Sequence, residues 1–189
     1  MKRTWTALAL AGAMVVQLAA CGSSDGGSAS SSAPGGAETA LVLSDQTVTL
    51  NGSTVSQGTD GAVTVSHDIV YYQADQGEDY GEGTADDEHT ADEADAHTVV
   101  TIRKAGTYRV SGSLSAGQLA VDLGDDAKTD PSAVVTLILD GVDITCTVAP
   151  AIIFYRVYEC GSDDAETASE TVDATAAGAN VIIADGTEN

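Results

Sequence analysis

Residues 98–123 read TVVTIRKAGTYRVSGSLSAGQLAVDL, residues 134–145 VVTLILDGVDIT and residues 150–158 PAIIFYRVY. Apolar and polar residues alternate in short runs stopped by Gly or Asp, the period-two pattern of half-buried strands, and no helical period lies between them. Tyr108 and Val110 fall on one face before Gly112. Leu119, Val121 and Leu123 repeat the pattern, as do Val135, Leu137 and Leu139, followed by an Asp140-Gly141 turn and then Val142 and Ile144. Ile153 and Val157 are assigned to the next layer, Val181 and Ile183 to one more. The step from Leu119 to Leu137 is 18 residues and that from Leu137 to Ile153 is 16. Near-regular steps of this size predict an all-β solenoid in which each coil buries its face against the next. A β-sandwich is the competing reading, because its strands also recur at short intervals.

Outside this stretch the chain changes texture three times. Residues 1–20 open on Lys2 and Arg3 and continue as an apolar run too short to span a membrane comfortably, which reads as a signal peptide. The run ends in Leu18-Ala19-Ala20-Cys21, which resembles the lipobox of bacterial lipoproteins. Cys21 is then the lipidated first residue of a protein held at the membrane on the bacterial cell surface, since two or three acyl chains anchor firmly. An ordinary secretory signal that contains a Cys is the alternative. Residues 21–37 are a Gly/Ser-rich tether, expected to be flexible by composition. Residues 38–189 hold the strands, with Asn51-Gly52 marking a hairpin turn.

The third change is an acidic loop, 73–97. Ten acidic residues and no Lys or Arg lie between Asp75 and Asp95. A solvated, self-repelling loop is the plain reading and a cation-binding loop the sharper one. His89 and His97 flank its densest part but lack the spacing of a zinc motif.

Charge bounds the partners. The whole chain carries −22, and removing Lys2 and Arg3 leaves about −24 by the same count. Such a chain repels nucleic acid and anionic lipid headgroups and attracts divalent cations. Cys146 and Cys160, in an exported protein, form a disulfide candidate that would stabilise by roughly 3 kcal/mol; two free thiols are the alternative.

Three pieces, residues 101–122, 135–145 and 149–152, resemble in order and spacing a family of bacterial extracellular carbohydrate-binding proteins. The resemblance implies a right-handed parallel β-helix, bound calcium, and binding of an acidic plant polysaccharide such as polygalacturonate, or of cellulose. Such a β-helix needs further coils after residue 183, so the sequence is expected to be a fragment of a longer protein. Calcium would let an acidic protein hold an acidic polymer, and it takes six to eight oxygens. The candidate ligands are Asp122, Asp125, Asp126 and Asp130 in DLGDDAKTD, Asp140 and Asp143 about Gly141, and Asp163 and Asp164. Tyr155 and Tyr158 are candidate glycan-stacking platforms.

Catalysis has little to build on. No nucleophile elbow, metalloprotease motif or P-loop occurs. Polysaccharide lyases share the β-helix and use a basic side chain, yet none of Arg103, Lys104, Arg109, Lys128 and Arg156 stands in a pattern tied to proton abstraction. The expected function is non-catalytic polysaccharide binding, with a lyase or a structural adhesin as alternatives.

Overall fold

The computed structural model describes residues 37–58, 60–71, 88–159 and 177–189. The chain divides into two units, Met1–Pro34 and Gly35–Asn189. The signal peptide, Cys21, most of the tether, residues 73–87 of the acidic loop, Cys160, Asp163 and Asp164 lie outside the described residues.

Ten strands are described: β1 Glu38–Leu43, β2 Thr49–Leu50, β3 Ser53–Thr54, β4 Val63–Ser66, β5 Thr98–Ile102, β6 Gly106–Leu114, β7 Gly117–Asp122, β8 Val135–Ile144, β9 Ile152–Arg156 and β10 Ala179–Ile183. They form a six-stranded sheet of order β10-β8-β6-β1-β2-β3 and a four-stranded sheet of order β4-β5-β7-β9. From β5 onward the chain changes sheet at every strand. Successive strands stack parallel within each sheet: β6, β8 and β10 in the first, and β5, β7 and β9 in the second. Antiparallel pairing is confined to β1–β2, β2–β3 and β4–β5. The β2–β3 hairpin turns at Asn51-Gly52, both at positive φ, as the dipeptide predicts.

The register explains the apolar alternation. In the larger sheet Leu41, Val110, Leu139 and Ile183 are aligned across four strands, and Tyr108, Leu137 and Val181 make the neighbouring row. In the smaller sheet Val100, Leu119 and Ile152 form one row, and Val63, Ile102, Val121 and Phe154 the next. These rows pack into one core. Each fully buried Leu or Val there stabilises by roughly 1.5–3 kcal/mol. The rows open at β10, where Val181 and Ile183 are 51% and 55% exposed.

Pairing also corrects the sequence-derived spacing. Leu119 and Leu137 lie in different sheets, so the steps of 18 and 16 residues measure passage from one sheet to the other. The true partner of Tyr108 is Leu137, 29 positions on, and that of Leu119 is Ile152, 33 positions on. The expected turn at Asp140-Gly141 is a bulge instead. Val110 pairs with Leu139 and Gly112 with Val142, so β8 carries one extra residue there and continues to Ile144. Gly141 takes φ +71, which suits the bulged residue of a strand that must bend without ending.

Ile153 faces away from the main core. It joins Ile69, Ala94, Val99 and Ala120 on the outer side of the smaller sheet, while Ile152 and Phe154 point inward. That outer face is covered by residues 69–71 and by a short helix, α1 Ala91–Asp95. With both faces covered, β7 is buried at every position, as a doubly packed strand should be. The end of the acidic loop is thus part of the fold. Thr90 caps α1 and Glu93 returns the bond in a capping box, while His89 and His97 are buried beside it.

Candidate functional site

A cleft of about 500 Å³ opens on the outer side of the smaller sheet, between Tyr71, Glu88, Glu93 and the loop 147–150. Its walls come from three distant segments, and Gln118 ties two of them together. This side chain is fully buried in β7. Its Oε1 accepts from the Val70 N–H at 2.9 Å, and its Nε2 donates to the carbonyls of Pro150 at 3.0 Å and Val70 at 3.4 Å. Tyr71, Val148 and Ala149 pack on the outer apolar cluster just above it. Replacing Gln118 by Leu keeps the volume but strands three backbone groups, so stability is expected to fall by about 2–3 kcal/mol in urea unfolding.

The third wall is held by charge. Glu93 Oε2 accepts from the Thr90 N–H at 2.7 Å and the Thr90 hydroxyl at 2.9 Å. Those bonds, helped by the nearby His89 and His97, hold its carboxyl below the ordinary Glu range, so it is ionised at neutral pH. His97 Nδ1 donates to the Glu93 carbonyl at 2.6 Å, and His67 Nδ1 donates to the His97 carbonyl at 2.7 Å. Both His89 ring nitrogens lack a partner among the described residues.

The cleft therefore presents one aromatic side chain, two carboxylates and a stretch of loop backbone. An aromatic ring offers a flat apolar surface, and carboxylates accept hydrogen bonds from hydroxyls. Its volume lies in the usual range for small-ligand sites. A second groove, about 390 Å³, is lined by Leu50 and by residues 53–58 and 60–63, none of them aromatic.

Most of the residues singled out from sequence lie elsewhere. Asp122 and Asp125 are joined by one guanidinium. Arg156 donates from Nε and Nη2 to Asp122 at 2.5 and 2.6 Å and from Nη1 to Asp125 at 2.6 Å. Arg103 stands 4.0 Å from Asp122. Asp130 accepts from the N–H and hydroxyl of Ser132 in a local turn. Asp140 pairs with Arg109, which also holds Glu38. Asp126 and Asp143 are exposed. Among the described residues no group of three or more His, Cys, Asp or Glu comes together in a way that could hold a metal ion. Of the eight carboxylates expected to bind calcium, Asp122, Asp125 and Asp140 are engaged by arginines and Asp130 by Ser132, while Asp163 and Asp164 lie outside the described residues.

Tyr155 carries the Arg156 guanidinium 5.0 Å from its ring centroid, and Tyr158 is half-buried after β9. Neither lines the cleft. Cys146 is half-buried just after β8 with a free thiol; its expected partner lies outside the described residues. Tyr71, Glu88, Glu93 and Gln118 were not legible as a site. One local signal existed, the Thr90-x-x-Glu93 capping pattern within the acidic run.

Residues 96–171 match the sequence profile of a family described as carbohydrate-binding domain-containing protein. The match runs from just before β5 to beyond β9, through the ladder that carries Gln118 and the loop 147–150. No curated protein and no solved structure matches the chain. The described residues form an all-β fold of mixed sheets.

Proposed function

We propose that this protein is a non-catalytic polysaccharide-binding module, lipid-anchored through Cys21 at a bacterial surface, whose glycan site is the Tyr71 cleft. The single observation that carries the site is the position of Tyr71 between Glu88, Glu93 and loop 147–150, inside a cleft braced by the matched segment. The scaffold is read as coils of a parallel β-helix. Supporting this are the change of sheet at every strand from β5 onward and the parallel registers of both ladders.

The lining favours one of the two expected glycan classes. Glu93 is ionised, Glu88 lies beside it in the cleft, and the chain carries −22. Uronate carboxylates are repelled by such a wall, whereas the hydroxyls of a neutral, cellulose-like glucan donate to it. Four of the five basic side chains a lyase could use, Arg103, Arg109, Lys128 and Arg156, lie against carboxylates, which supports the non-catalytic reading. The hydrogen bonds that Arg109 donates to Glu38 and Asp140, and Arg156 to Asp122 and Asp125, hold those two guanidinium groups protonated, which makes them poor bases.

Affinity electrophoresis of the full chain tests the proposal. A soluble cellulose derivative in the gel is expected to retard the protein with or without chelator, and polygalacturonate is not. Retardation by polygalacturonate that chelator abolishes would replace this reading with calcium bridging. Release of unsaturated sugar ends would replace it with a lyase.

A further inference from the structure

We infer that Arg156 is a built-in cation that takes the place of a divalent metal in the 122–125 cluster, making this part of the fold independent of calcium. The inference rests on ion-pair geometry and stands apart from the cleft reading.

Three features carry it. Asp122 is buried at the end of β7, and Asp125 begins the 3-10 turn Asp125–Thr129 that follows. A buried carboxylate needs a positive partner or it neutralises. Arg156, from the neighbouring strand β9, supplies one with a fork that fits both oxygens of Asp122 and reaches Asp125. The same guanidinium lies over Tyr155, which limits its freedom to leave. The backbone closes around the pair: the Gly124 N–H donates to Asp122 Oδ1 at 3.1 Å and the Leu123 N–H to the Arg156 carbonyl at 2.9 Å. Two carboxylates held within reach of one cation are the start of a calcium site, and here a side chain already occupies the position.

Removing that side chain is expected to expose the site. Thermal unfolding of the full chain is measured with calcium at about 1 mM, the weak end of extracellular calcium modules, and with chelator. Arg156→Ala is expected to gain a calcium-dependent rise in Tm beyond any shown by the unaltered chain, and adding Asp122→Asn is expected to abolish that gain. Equal calcium responses in the unaltered chain and Arg156→Ala overturn the inference. A second measurement needs no variant: the carboxyl ¹³C signal of Asp122 is followed through a calcium titration of the unaltered chain. A fixed signal supports the inference, and a saturable shift overturns it.

Discussion

Gly112→Val is expected to cost about 2–6 kcal/mol, a large part of the roughly 5–15 kcal/mol total of an ordinary domain. Two penalties combine. Gly112 takes φ +92, where a β-branched residue is strained by about 1–3 kcal/mol. A Cβ there would also collide with the carbonyl oxygen of Leu43, a backbone atom that cannot swing away. Relieving the clash means moving β1, whose register from Glu38–Thr107 to Leu43–Gly112 is a continuous parallel ladder. Overpacking of this kind adds about 1–3 kcal/mol. Gly141→Ala is the control: φ is +71, but no atom lies within 4 Å of the added Cβ. It is expected to cost only about 1–2 kcal/mol, the left-handed penalty alone. Urea midpoints of the two variants separate steric from conformational cost. Equal midpoints would show that the contact between β1 and β6 yields easily.

Arg156→Ala is expected to lose about 2–4 kcal/mol at pH 7, because it leaves Asp122 buried and ionised with only Arg103 at 4.0 Å. The loss has a definite pH dependence. Burial alone would raise the Asp122 pKa and is the largest single influence. The Arg156 hydrogen bonds, the Gly124 N–H and the charges of Arg156 and Arg103 together outweigh it, so the carboxyl lies below its ordinary value. A depressed folded pKa contributes stability that is present above the unfolded value, about 3.9, and lost as pH falls through the folded one. Without Arg156 burial dominates, the folded pKa rises, and acid then relieves the penalty. The stability difference between the two proteins is therefore expected to be largest near neutrality and to shrink below about pH 4. A difference that is constant from pH 7 to pH 3 would show that Arg156 acts through packing and not through charge.

The strands were legible because their rows repeat every second residue: Tyr108 and Val110, Leu119 and Val121, and Leu137 and Leu139 all face the core. Register was not, since it depends on pairs such as Leu119 with Ile152 that no local pattern marks. Asp140-Gly141 has the composition of a turn, and only its alignment against Ser111 makes it a bulge. Ile153 illustrates the same limit. Ile152, Ile153 and Phe154 are consecutive apolar residues, and which of them face the main core depends on what covers the outer face of the sheet. The site was hidden for a related reason. Tyr71 and loop 147–150 are brought together by Gln118, a polar residue inside an apolar run whose partners are 48 and 32 positions away. The acidic composition correctly announced many carboxylates but not that Arg156 and Arg109 engage several of those proposed for calcium.

Calorimetric titration of a soluble cello-oligosaccharide into the full chain and into Tyr71→Ala tests the central claim most directly. The account predicts saturable binding by the unaltered protein, weakened at least about tenfold by the substitution, the loss of about 1.4 kcal/mol of contact free energy. Binding of equal strength in both proteins would contradict the placement of the glycan in the Tyr71 cleft.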